Sequence, residues 1–355
     1  MEPDCEYPNR KDVKNNRIIQ GAADLFPGYF ALVMATGIVS TATFLLEMKW
    51  LAWVMLVVNL IAYAVLSFLL IIRVIGFYPR VRADLTDHTR GPGFFTVIAG
   101  TCVLGSQLLI VAGRYQVAMV LWVLGLVLWA VVMYTFLTGI TVRENKPLFE
   151  TGISGTWLLA TVATQSISVL GTLLADHFGS YREPVLFFTL CMYLLGCMLY
   201  LILITLIFYR FTFVNLTTVT LTPPYWINMG AVAITTLAGA RLIIAAPTWS
   251  LLEEILPFLK GFTLFFWAAG TWWIPLLFIL GIWRHLHKHF PLAYDPLYWG
   301  MVFPLGMYTV CTLQLSKALA LDFLLFIPRA FIFVALAAWL ITFMGLLHSL
   351  VRRQT

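Results

Sequence analysis

Ten apolar runs, each about 20 residues or longer, follow one another along the chain. They cover 26–46, 51–73, 93–113, 117–141, 153–174, 184–209, 223–246, 258–283, 297–317 and 324–348. Each is long enough for a helix to cross the hydrocarbon core of a bilayer. Lipid offers a bare backbone no hydrogen-bond partner, so helices and closed barrels are the spanning solutions, and the alternation of barrel strands is missing. The pattern predicts an all-α integral membrane protein of ten transmembrane helices. Residues 1–25 form an N-terminal segment, 26–348 the ten-helix domain and 349–355 a C-terminal tail. The first 25 residues are charged and have no apolar centre, unlike a signal peptide.

Alternate connections are short, which divides the chain into five helical hairpins. Each odd-numbered run opens on helix breakers: Pro27-Gly28, Gly91-Pro92-Gly93, Gly152 with Gly155, Pro223-Pro224, and Pro296. Their regular recurrence predicts a repeated hairpin unit. Polar residues concentrate in the odd runs, while the even ones are mostly Leu, Val, Ile, Phe and Trp. In the stretch FPGYFALVMATGIVS, Thr36, Gly37 and Ser40 lie at membrane depth. Gly100 with Gln107, Thr164 with Ser168, Thr235 with Gly239, and Gly306 with Gln314 sit at comparable positions in later odd runs. The expected arrangement has odd helices as an inner ring around a pore and even helices as an outer ring. These small and hydroxyl residues are then candidate pore-lining positions. The alternative is that they allow helices to pack closely.

Charge adds a direction. The chain is 61% hydrophobic and 11% charged, and it carries a net charge of +6. Of its 22 Lys and Arg, 15 fall in the N-terminus, the loops after even runs and the C-terminus. The positive-inside rule puts both termini in the cytoplasm of a cell-membrane protein, as an even number of crossings requires. This bias accounts for the positive charge, leaving no separate basic surface for nucleic acid. The five cysteines, Cys5, Cys102, Cys191, Cys197 and Cys311, form no CxxC pair and read as small buried residues, four of them within apolar runs.

The candidate chemistry is that of passage. No carboxylate lies near a membrane midplane, which disfavours cation paths and most proton relays. Arg241, Lys317 and Arg329 lie at ends of runs and either draw anions to a mouth or snorkel to the interface. The sequence contains no Gly-Lys pair and hence no phosphate-binding GxxxxGK loop, so ATP-driven transport by this chain alone is not expected. Pro304 lies inside the ninth run and predicts a kink. Phe303, just before it, could plug a narrow pore. Neither HExxH nor GxSxG occurs, so an enzyme is not expected. His285, His287 and His289 form HxHxH, which reads as a metal site or as a basic segment against anionic lipid.

FPGYFALVMATGIVS in the first run and YWGMVFPLG in the ninth resemble the tellurite-resistance and dicarboxylate transporter family. That family includes TehA, fungal malate permeases and sulfite pumps, and plant slow-anion channels. The likeness extends over about residues 20–350 of the chain. It implies ten helices in five hairpins, a pore lined by the odd helices, a homotrimer and a gating phenylalanine at Phe303. It also implies transport of small anions, with C4-dicarboxylates such as malate first and sulfite, chloride or nitrate second. No cofactor and no metal is expected.

Overall fold

A computed structural model describes residues 17–352 of the chain. Arg10, Lys11, Lys14 and Cys5 of the N-terminal segment, and the last three residues of the tail, lie outside it. Among the described residues there are ten long helices. They are α1 (Ala31–Leu45), α2 (Lys49–Gly76), α3 (Phe95–Ala112), α4 (Tyr115–Val142), α5 (Leu159–Leu174), α6 (Arg182–Phe213), α7 (Ile227–Ala245), α8 (Leu256–Ile282), α9 (Trp299–Leu319) and α10 (Phe326–Arg352). Among the described residues, eight segments are long and apolar enough to cross a membrane; one of them, Gly155–Phe213, contains both α5 and α6. The more polar α9 is not among the eight. Residues Arg17–Ala23 of the expected N-terminal segment form a short helix lying against α2. At the other end α10 runs on to Arg352, past the expected boundary at 348.

The breakers have a common structural product. A 3₁₀ turn precedes each of the five odd helices, at Pro27–Phe30, Gly91–Phe94, Gly155–Leu158, Pro223–Trp226 and Pro296–Tyr298. Proline is suited to such a start because its fixed φ is already helical and its missing N–H would have no partner in the first turn. At Gly155 the requirement is steric: a Cβ there would lie 2.6 Å from the carbonyl oxygen of Pro224. The starts of α5 and α7 therefore meet backbone to backbone.

The odd helices close into a ring in the order α1, α3, α5, α7, α9 and back to α1. Each even helix packs on its hairpin partner and on the next odd helix round the ring, so α2 spans α1 and α3 and α10 spans α9 and α1. In Pro27–Leu45, Gly91–Ala112 and Pro223–Thr248, 78–89% of the most apolar stretch is buried; in the separate even spans α2, α4, α8 and α10 the share is 17–33%. Outward-facing Ile61, Val120 and Phe208 are exposed side chains suited to lipid.

The polar residues of the inner ring join the two rings. The indole N–H of Trp129 on α4 donates to the Thr164 hydroxyl at 2.8 Å, and that of Trp339 on α10 donates to Thr36 at 3.0 Å. Trp267 on α8 does the same to Thr312 at 3.0 Å. Ser40 donates to the Ala52 carbonyl on α2, and Ser168 to the Thr189 carbonyl on α6, each at 2.8 Å. No water competes within the membrane, so an outer tryptophan needs an acceptor from the helix it covers.

Candidate functional site

Two cavities lie on the ring axis, each lined by all five odd helices. The outer one, near the C-terminal ends of these helices, has a volume of about 100 Å³. Every helix contributes three residues to it: Ile38, Thr41 and Leu45 from α1; Val103, Ser106 and Ile110 from α3; Ser166, Val169 and Leu173 from α5; Ile234, Leu237 and Arg241 from α7; Met307, Val310 and Gln314 from α9. The spacing of three or four keeps each set on one helix face. One residue of each set is polar and the other two are apolar. The path is therefore mainly hydrocarbon, not the continuous polar wall that the sequence suggests.

The inner cavity is smaller, about 20 Å³, and lies at the helix starts. Ala31 and Met34, Thr96, Leu159, Ile227, and Gly300 with Phe303 bring the five helices to it. Phe303 lines this cavity, while Met307, one turn further along α9, lines the outer one. The Phe303 ring, 1% exposed, thus belongs to the packed layer between the two.

Residues 24–347 match the family described as voltage-dependent anion channel. The chain belongs to that family. It is also 44% identical over 131 residues to an uncharacterized membrane protein of Mycobacterium tuberculosis, a match covering 37% of this chain and 66% of that relative. Two uncharacterized transporters of Methanocaldococcus jannaschii are 22% and 24% identical over 88% and 89% of this chain, and over 91% and 90% of their own lengths. Membership of an anion-channel family directs attention to the polar groups that face the two cavities.

Arg241 is the fixed cation among the residues lining the outer cavity. Its Nε is buried and has no hydrogen-bond partner. The Asp176 carboxylate acts on it electrostatically but pairs with Arg182 at 3.1 Å. The three hydroxyls of the cavity donate to their own helices: Thr41 to Gly37, Ser106 to Cys102 and Ser166 to Ala163, at 2.9, 3.0 and 2.7 Å. In that arrangement they turn lone pairs, not protons, toward the lumen. The groups of this lining that remain to offer positive charge or N–H donors are the Arg241 guanidinium and the Gln314 amide.

Of the eleven expected wall residues, Gln314 lines the outer cavity; the other ten line neither cavity. Thr36, Ser40, Thr164 and Ser168 bond to outer helices as described, and Thr235 bonds back to Ala231 at 2.7 Å. Gln107 accepts from Asn59 of α2 at 2.7 Å. Gly37 makes room for that pair, since a Cβ there would lie 2.9 Å from Asn59 Nδ2. A Cβ at Gly239 would strike Thr263, one at Gly306 would meet Ile38 and Val39 at 2.9 Å, and one at Gly100 would lie 3.3 Å from the Phe30 carbonyl oxygen. The close-packing alternative accounts for these glycines, and bonding between the rings for most of the hydroxyls. Helix α9 continues through Pro304, whose ring packs where a Cβ of Gly230 on α7 would be, 2.6 Å from its Cγ. Lys317 and Arg329 are exposed at helix ends.

Sequence reasoning missed Thr41, Ser106 and Ser166. The 31-34-38-41-45 stripe of α1 carries the signal, but on a helix apolar all round it does not stand out. In the HxHxH segment, His285 Nδ1 lies 2.9 Å from the Phe290 carbonyl oxygen.

Proposed function

We propose that the protein carries small anions along the ring axis and that Phe303 closes the path. The observation behind this reading is the pair of five-helix cavities with the Phe303 layer between them and Arg241 in the outer one. The mainly apolar lining of the outer cavity, with one polar residue from each helix, suits a conduit. Transport is passive or proton-coupled. The protein sits in the cell membrane with its basic side and both termini in the cytoplasm, following the positive-inside rule. Its ten helices all cross, and it assembles as a homotrimer with one path per subunit.

The substrate class follows from charge. A singly charged ion places its charge on Arg241. A C4-dicarboxylate such as malate would put its second carboxylate among Val, Ile and Leu side chains, where an unpaired charge is costly. Small inorganic monoanions such as chloride and nitrate therefore rank first, with bisulfite beside them, and malate second. Purified protein in liposomes should release these ions down a gradient in that order and release no potassium. Phe303→Ala should raise the anion flux. A buried Phe→Ala change costs about 3–5 kcal/mol of stability, so Phe303→Leu and a melting curve accompany it. Unchanged flux from folded Phe303→Ala protein, or cation release in place of anion release, would overturn the reading.

A further inference from the structure

We infer that Phe26 forms a second closure of this path, on the basic side and in series with Phe303. The inference rests on the axial path proposed above and adds a residue to it. Phe26 lies just before the 3₁₀ turn that starts α1, and its side chain lines the inner cavity together with Phe303. The two differ in depth. Phe303 lies on α9 one turn past Gly300, inside the ring, whereas Phe26 precedes the 3₁₀ turn that starts α1.

What lies beyond Phe26 makes it a closure and not merely a wall. A groove of about 1290 Å³ opens between α2 and α10, running from Asp24, Arg90 and Ser349 at the basic end to Val58 and Ile61 on the lipid-facing side of α2. Phe26, Pro296 and Leu297 line both this groove and the inner cavity. These three side chains separate the end of the axial path from the surface. Pro296 belongs to the 3₁₀ turn before α9 and its ring moves only with that backbone; Leu297 can rotate but is the smaller of the two rotatable side chains. Phe26 needs only to rotate.

The ring is seated and held. A Cβ at position 28 would collide with it, and the Cβ position of Gly93 is 3.6 Å from its Cζ. A side chain at Gly28 would displace the ring, while the Gly93 position is in ordinary contact with it. The guanidinium of Arg90 lies 5.8 Å from the ring centroid. Arg90 is fixed in turn: its Nε meets Asp84 Oδ1 at 2.8 Å, and its backbone N–H donates to Asp87 at 3.0 Å. Asp84 also pairs with the buried Arg73 at the end of α2. The loop joining α2 to α3 thus holds a cation against the ring. That contact is electrostatic and local, so it can break without unfolding the helix.

The closure can be tested without measuring conduction. Gly300 lines the inner cavity, and a Cβ there would make ordinary contacts, 3.6 Å from Pro224 Cα. A Gly300→Cys protein, with Cys5→Ala and Cys191→Ala to lower the background, is treated with an anionic thiosulfonate from the basic side. Adding Phe26→Ala should speed labelling about tenfold or more, the effect of about 1.4 kcal/mol on the closed state. Adding Phe303→Ala should leave the rate unchanged, because that ring lies on the far side of the cysteine. Phe26→Leu, which keeps an apolar contact, should give an intermediate rate and so separates opening from loss of fold. Equal labelling with and without the Phe26 ring would overturn the inference. Anion flux separates the two claims: it should rise further in Phe26→Ala/Phe303→Ala than in Phe303→Ala. If Phe303→Ala conducts and the double variant conducts no better, the series closure fails and the axial path stands. If labelling accelerates but no variant passes anions, the closure stands and the anion path fails.

Discussion

Replacing Arg241 by glutamine removes the fixed charge from the outer cavity while keeping a polar side chain of moderate length. The structure sets the size of the effect. An anion about 5 Å from the guanidinium is stabilised by about 3 kcal/mol at an effective dielectric constant of ~20. Arg241 is only part-buried, and water entering the outer mouth weakens its field. A working range is about 1.5–3 kcal/mol, or about 10–100-fold in anion occupancy. The substitution should not unfold the ring, because Arg241 Nε has no hydrogen-bond partner to lose and Asp176 keeps its pairing with Arg182. The assay is the reversal potential across a bilayer under a tenfold salt gradient, with anion flux from liposomes beside it. Arg241→Gln should lower anion flux and the anion-to-cation permeability ratio, and Arg241→Lys should restore most of both. The difference should shrink at high ionic strength, as a part-exposed charge is screened. Unchanged selectivity in correctly folded Arg241→Gln protein would refute the argument that this charge draws anions into the path.

Gly155→Ala should destabilise the protein by about 1–3 kcal/mol, because the new methyl meets backbone that cannot yield; an unchanged melting temperature in detergent would contradict the close approach of α5 and α7. Asn59→Leu should cost about 1–3 kcal/mol by leaving the Gln107 Oε1 acceptor buried without its donor. Gln107→Leu should cost about as much, and the double variant well under the sum, since both members of the pair are then gone. Asp87 supplies a pH test. Burial alone would raise its carboxyl, but hydrogen bonds from the Thr89 hydroxyl and the N–H groups of Arg90 and Thr89, with the charge of Arg143, together hold it below the usual carboxylate range. A group depressed in the folded state adds stability above its unfolded value and loses it as pH falls through the folded value. The stability advantage of the native protein over Asp87→Asn should therefore be full at neutral pH and fade below about pH 4; an advantage that persists in acid would refute the assignment.

Membership of the two rings was legible because it depends on composition. A helix facing lipid on one side must be apolar there, and a helix covered all round may carry Thr, Ser, Asn and Gln if each finds a partner. The sequence therefore separated α1, α3, α5, α7 and α9 from their neighbours, and the breakers before them marked the five 3₁₀ starts. The direction of each polar residue was not legible. On α5 the regular set Thr161, Thr164, Ser168 and Thr172 reads as one face, yet Thr164 and Ser168 turn to Trp129 and the Thr189 carbonyl on the outer helices. The lumen receives Ser166, Val169 and Leu173. On α9 the face containing Phe303, Val310 and Gln314 does meet the cavities.

By itself, then, the sequence determined a membrane protein of paired helices, the division of those helices between inside and outside, and the resemblance that the family match bears out. The tertiary structure decided which face of each inner helix looks at the axis. An inner helix has two buried sides, one toward the path and one toward the outer ring, and hydrophobic periodicity reports burial without saying what does the burying. The indole N–H groups of the outer ring claimed much of the hydroxyl chemistry that the sequence offered to the pore. Left on the axis were a largely apolar path, one arginine and a phenylalanine between two cavities.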